Sequence, residues 1–123
     1  MNSGTHPDGP SRAERIVKLG QLSMRSLRDG DKHTVSISGE MDIATVGDVE
    51  QELIRVEATD AREIVLDLAA LHFIDSTGIE MLLMAEARTR ADGKRLVLLR
   101  PPATVQRVLH LAGIADRLPF ADG

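Results

Sequence analysis

The sequence predicts an α/β domain: a small mixed β-sheet of four to five strands, with helices mainly on one face, in the order β-β-α-β-α-β-α. Three observations carry that expectation. Leu22, Met24, Val35 and Ile37 alternate with polar residues around the turn signal Arg28-Asp29-Gly30-Asp31, the pattern of a β-hairpin. Further along, three segments carry apolar residues at helical spacing. Between them lie short, nearly continuous apolar runs at 64–68 and 96–99, as expected of strands covered on at least one face.

Each element has its own signal. Residues 1–18 are rich in Asn, Ser, Gly, Pro and charge, and are expected to form a flexible leader, with a docking arm as the alternative. One domain is expected over 19–123. After the hairpin, Gly39-Glu40-Met41-Asp42 closes the second strand. Thr45, with Asp48 three residues on, resembles a capping box. Val46, Val49, Leu53 and Val56 then define an amphipathic helix of about three turns. The run at 64–68 is a strand, and a helix over 76–91 stops near Asp92-Gly93. The run at 96–99 is a further strand, ended by Pro101-Pro102. Val105, Val108, Leu109 and Ala112 mark a last helix with Gly113 as its terminal cap. Residues 114–120 form a short apolar tail that suits an edge strand. One helix per later crossover implies parallel strands with right-handed connections.

Composition excludes several function classes. The chain has 123 residues, 42% hydrophobic, with a net charge of −4, which suits one packed domain and gives no basic surface for nucleic acid. There are no cysteines, so disulfides, thiol chemistry and Cys-ligated zinc are absent, in keeping with a cytoplasmic protein. No apolar run approaches the roughly 20 residues of a membrane span, and no signal-peptide pattern opens the chain. His6, His33, His72 and His110 are scattered without paired spacing, so neither a metal nor a cofactor is expected.

The residues that promise chemistry are Asp75-Ser76-Thr77-Gly78. A hydroxyl at this point sits where a strand passes to a helix N-terminus, and free backbone N–H groups there accommodate added negative charge. Two roles are open and compatible. Asp75 or Ser76 suits an N-cap, and Thr77-Gly78-Ile79-Glu80 matches a capping box. Alternatively, Ser76 accepts a phosphate, adding about −1.5 to −2 charges beside Asp75. A hydrolase built from His72, Asp75 and Ser76 lacks the Gly-x-Ser-x-Gly elbow, and no phosphate loop of the Gly-x-x-x-x-Gly-Lys type is present. No enzyme is therefore expected. In the helix beyond, Ile79, Leu82, Leu83 and Ala87 form one stripe, expected to face the sheet. Met81, Met84 and Ala85 form a second, left either for extra core or for a partner.

Together, Gly39-Glu40-Met41-Asp42, the strand Ile64-Val65-Leu66-Asp67-Leu68 and Phe73-Ile74-Asp75-Ser76-Thr77-Gly78-Ile79 resemble the STAS domain family, and within it the bacterial anti-sigma factor antagonists. The resemblance implies a phospho-switch. An unphosphorylated antagonist binds an anti-sigma factor that is also a serine kinase, with ATP bound by that partner, and so frees a sigma factor. Phosphorylation of Ser76 releases the complex, and a phosphatase resets it. The implied partner surface comprises Asp42, Asp75, Ser76, Thr77, Gly78, Glu80, Met81 and Met84, with Gly78 allowing close approach. Many relatives carry a small residue where this chain has Glu80, which caps the helix, repels a phosphate or selects a partner with a basic residue. The alternative within the same family is a scaffold, or a soluble partner subunit, of a larger signalling or transport assembly.

Overall fold

In the computed structural model, residues 12–19 and 21–121 are described. Five strands form one sheet in the order β1-β2-β3-β4-β5. They are β1 (Arg12–Leu19), β2 (Leu22–Asp29), β3 (Lys32–Met41), β4 (Glu63–Ile74) and β5 (Arg95–Leu99). Strands β1 to β3 run antiparallel, whereas β3, β4 and β5 are parallel. Helix α1 (Val46–Glu57) crosses from β3 to β4, α2 (Ser76–Ala91) crosses from β4 to β5, and α3 (Ala103–Leu111) follows β5. The mixed sheet and the helix order agree with the expected fold class, with one strand added in front.

That strand is the main difference from the sequence reading. Residues 12–18, assigned to the leader, belong to β1, which pairs with β2 from Arg12↔Asp29 to Leu19↔Leu22. Its sequence carries four charges in eight residues, the composition of a protected edge strand. An edge strand buries little, so its periodicity is faint; only Val17 among its described side chains packs against the core. The rest of the expected leader, 1–11, lies outside the described residues.

One face of the sheet holds the core. The aligned row Ser26, Val35, Leu66 and Leu98 runs across four strands, and Val35, Leu66 and Leu98 are completely buried. Buried side chains from all three helices, among them Val49, Leu53, Leu82, Val105 and Leu109, join this single cluster, which makes a two-layer domain. In α2 the buried positions are Gly78, Met81, Leu82, Ala85 and Thr89. The two expected stripes therefore merge: Met81 and Ala85 face the sheet, while Ala87 is exposed. In α3 the inward pair is Val105 and Leu109, and Val108 and Ala112 face outward. The tail forms a 3-10 turn at Ala115–Arg117 and a single bridge from Phe120 to Leu98, without an edge strand.

Two glycines set the backbone geometry at opposite ends of β3. Gly30 (φ 63) opens the two-residue turn between the paired Asp29 and Lys32, where a primed hairpin turn needs positive φ. Gly39 has φ 106, and a Cβ there would lie 2.0 Å from the Gln21 carbonyl oxygen. The Glu40 amide donates to that same oxygen at 3.0 Å. Glycine is thus required at the start of Gly39-Glu40-Met41-Asp42 by a close backbone crossing. Gly39→Ala is expected to destabilise the fold by more than about 2 kcal/mol, from strain plus clash, measured by urea denaturation.

A polar cluster lies under α1. Glu52 is only 5% exposed, and it accepts from Ser26 Oγ at 2.8 Å, from Arg15 at 3.2 Å and from both donors of Arg55. Burial alone would raise the Glu52 carboxyl, but the hydrogen bonds of Arg55 and Ser26 carry it below the usual range. Beside it His33 is 6% exposed with Nδ1 unpartnered. Burial first, then the Arg55 and Arg28 charges, push its pKa below 6.5. The unfolded chain therefore takes up this proton more readily than the folded one. The stability this residue contributes is present above about pH 6.5 and is lost as pH falls toward the folded-state value. Stability is expected to decline between pH 7.5 and 5.5, with a shallower slope in His33→Leu. The lowered carboxylates, Glu52 and Asp75 among them, act only at more acidic pH.

Candidate functional site

The parallel strands β3 and β4 end side by side, and their following loops form one surface. The Asp75 amide donates to the Met41 carbonyl at 3.2 Å, which joins the Gly39-Glu40-Met41-Asp42 strand end to the Asp75-Ser76-Thr77-Gly78 turn. The sequence placed these two motifs at the same end of the domain, and the backbone brings them into contact.

Asp75 is the N-cap of α2, with extended backbone (φ −110, ψ −174). Its Oδ1 accepts from the Thr77 amide at 3.0 Å and the Gly78 amide at 3.2 Å, and also from the Thr77 hydroxyl. The Thr77 hydroxyl, helped by the amides of Gly78 and Thr77, holds the Asp75 carboxyl below the usual carboxylate range against the opposing effect of burial. Asp75 therefore stays ionised and satisfies the helix N-terminus. Of the two roles open to this motif, capping falls to Asp75.

Ser76 is the first residue of α2 and is exposed. Its hydroxyl makes no hydrogen bond among the described residues, whereas the Thr77 hydroxyl beside it is committed to Asp75. The two hydroxyls are thus chemically unequal: one is engaged and half-buried, the other is open to solvent.

The remaining expected contact residues divide. Asp42 is half-buried, and its Oδ1 accepts from Ala44 N at 2.9 Å and Thr45 N at 3.2 Å. Thr45 does not form the expected capping box. Its hydroxyl accepts from Asp42 N and donates to the Glu40 carbonyl, each at 3.0 Å, so it serves the loop and not the α1 amides. Glu80 is exposed and makes no side-chain hydrogen bond or ion pair among the described residues, because Asp75 already occupies the Thr77 amide. Met84 is 50% exposed, on the outer face of α2.

Two of the expected contact residues turn inward. Met81 is 3% exposed and belongs to the core. Gly78 is also buried, and a Cβ there would lie 2.7 Å from Ile74 Cγ1 and 3.2 Å from Met41 Cγ. The glycine lets α2 sit close to the strand ends rather than leaving room for a partner.

Three residues absent from the expected set also flank the surface. Ile43 is 78% exposed, Phe73 is 47% exposed, and Glu40 is exposed and pairs in register with Phe73. The one sequence signal for Ile43 was its failure to fit the helical stripe that starts at Val46.

Comparison with known proteins gives this fold and surface a family. Residues 24–119 match the family model described as "Mlab, STAS domain", and the chain belongs to the STAS domain family. Among curated relatives, the anti-sigma-B factor antagonist of Staphylococcus epidermidis is 22% identical over 102 residues, covering 83% of this chain and 94% of the relative. That of Staphylococcus aureus (strain NCTC 8325 / PS 47) is 24% identical over the same length, with the same coverage. Among solved structures, an anti-sigma factor antagonist from Mycobacterium paratuberculosis superposes with a TM-score of 0.61 at 26% identity, covering 97% of this chain and 91% of that one. The anti-sigma factor antagonist SpoIIAA in its unphosphorylated form superposes with a TM-score of 0.63 at 20% identity, over 90% of this chain and 88% of that one, a likeness of fold.

No described helix is long and apolar enough to cross a membrane. Among the described residues no group of three or more His, Cys, Asp or Glu is placed to hold a metal ion.

Asp75→Ala removes the side chain that satisfies two amides and a hydroxyl at the start of α2. The expected loss is about 1–2 kcal/mol, a fall in Tm of several degrees for a domain of this size. Asp75→Asn, which keeps an acceptor oxygen, should lose less. Differential scanning calorimetry of the two variants measures both effects.

Proposed function

We propose that the protein is an anti-sigma factor antagonist whose affinity for its partner is switched by phosphorylation of Ser76. The observation that carries this is the exposed, unengaged Ser76 hydroxyl at the first position of α2, next to an Asp75 and a Thr77 that are bonded to each other. Support comes from the named relatives, which are themselves anti-sigma factor antagonists. The partner is an anti-sigma factor acting as a serine kinase, and it holds the ATP. The Ser76 oxygen forms a bond to the γ-phosphorus, the bond from that phosphorus to the β-phosphate bridging oxygen breaks, and the hydroxyl proton passes to a base of the kinase. A separate phosphatase hydrolyses the ester. This chain supplies the acceptor and its positioning, and no catalytic group.

Release follows from local electrostatics. Phosphorylation adds about −1.5 to −2 charges at pH 7. The α2 N-terminus accepts part of that charge, but Asp75 is held ionised next to it and its acceptor sites already occupy the nearest amides. The phosphate is therefore left to solvent, and enclosing it at an interface means stripping that water. A loss of about 1.4 kcal/mol of fit weakens binding tenfold.

The test uses the serine-kinase anti-sigma factors of the source bacterium, purified and incubated with this protein and ATP. One of them is expected to bind the wild type and to add a single phosphate at Ser76, read by intact mass and peptide mapping. Ser76→Ala should bind without being modified, and Ser76→Asp should bind at least about tenfold more weakly in titration calorimetry. Wild-type affinity in Ser76→Asp would sink the charge-release mechanism.

A further inference from the structure

Ile43 is held out into solvent by a loop that has little freedom to bury it. Over residues 42–46, Asp42 Oδ1 accepts from the amides of Ala44 and Thr45, and the Asp42 carbonyl accepts from Thr45 N at 3.0 Å and Val46 N at 2.8 Å. The Thr45 hydroxyl closes the other side on Asp42 N and the Glu40 carbonyl. An isoleucine 78% exposed on such a loop leaves most of its apolar surface in water, surface that yields free energy when covered. Covering it demands little ordering, since the loop is already fixed, and that is the condition under which an apolar side chain contributes most to binding.

Its surroundings identify the covering surface. Glu40, Asp42, Asp75 and Glu80 flank the two loops, and none of them takes part in an ion pair among the described residues. Glu50, Glu57, Glu63, Glu86 and Asp60 are each paired with an arginine. Asp29, Asp31 and Asp92, in or beside turns at the opposite end, also form no ion pair among the described residues, but 40–46 and 73–80 gather four acids without a single Lys, Arg or His. Phe73, 47% exposed, stands beside Glu40 on the neighbouring strand and adds a second apolar group. Leu111, 77% exposed on α3, lies on an element away from these two loops.

We infer that Ile43 and Phe73 are the apolar anchors of the partner interface, and that the anti-sigma factor meets them with an apolar hollow rimmed by lysine and arginine. This rests on the function proposed above. Two exposed apolar side chains beside carboxylates that form no ion pair among the described residues complement such a hollow, whereas a second copy of this chain would bring like charges together.

The experiment measures affinity for the purified anti-sigma factor that binds the wild type. Ile43→Ala and Phe73→Ala are expected to weaken binding at least tenfold each, and Glu40→Lys together with Glu80→Lys to weaken it further. Leu111→Ala should bind like wild type. Circular dichroism and Tm check that each variant folds, and the exposure of Ile43 makes loss of fold in Ile43→Ala unexpected. If Ile43→Ala and Phe73→Ala bind like wild type while Ser76→Asp is released, the anchor assignment falls and the Ser76 switch stands. Absence of binding by every anti-sigma factor tested removes both. Sedimentation showing a wild-type dimer that Ile43→Asp splits would assign the patch to self-association and overturn the inference.

Discussion

The site is organised around the carboxylate of Asp75. Its amide reaches back to the end of β3 through Met41, and its Oδ1 gathers the first free amides of α2 and the Thr77 hydroxyl. One acid thereby ties together a strand end and a helix start. Because it takes up the capping role, it leaves Ser76 with no structural duty. A serine that capped the helix would be half-withdrawn from solvent and would lose its hydrogen bond on modification. Here the fold and the proposed chemistry are divided between adjacent residues.

Close packing beneath the surface makes that division hold. Gly78 lets α2 descend onto Ile74 and Met41, and Met81 fills the space one turn below. These residues set where the helix begins and so where the Ser76 oxygen stands. Gly39 does the same for the opposing loop, since only a residue without Cβ passes the Gln21 carbonyl. The two glycines in the recognisable motifs thus act inward on backbone geometry, and the polar residues between them act outward.

Most of the architecture was legible in the sequence, because β2 to β5 carry clear apolar patterns, α1 and α3 carry helical periodicity, and α2 is bounded by its opening motif and by Asp92-Gly93. Helix α2 was read to its ends, 76–91. What escaped was whatever buries little. Strand β1 is a charged edge strand whose pattern is too weak to separate from a leader. The assignment of faces on α2 failed for a different reason. With apolar residues at 79, 81, 82, 83, 84 and 85, spacing alone does not say which pair turns inward, and the closeness allowed by Gly78 decides it. At the site, the juxtaposition of the two motifs was foreseen. The inward roles of Gly78 and Met81 were not, nor was the projection of Ile43, which depends on hydrogen bonds spread over residues 40–46.

The uneven placement of ion pairs has a consequence for long-range behaviour. At the end where α1 and α2 finish, Glu57 is bonded to Arg88, Asp60 to Arg28 and Glu63 to Arg95, and the Lys94 ammonium caps carbonyls of the α1 C-terminus. At the other end Glu40, Asp42, Asp75 and Glu80 form no ion pair among the described residues. The N-termini of α1 and α2 each offset roughly half a charge there, too little to cancel them. The loops around Ser76 therefore carry a local negative potential. A cationic surface approaching within a Debye length, about 8–10 Å in physiological salt, is drawn to these loops before any atoms touch. Orientation is then settled during diffusion, and fewer encounters are spent on unproductive faces.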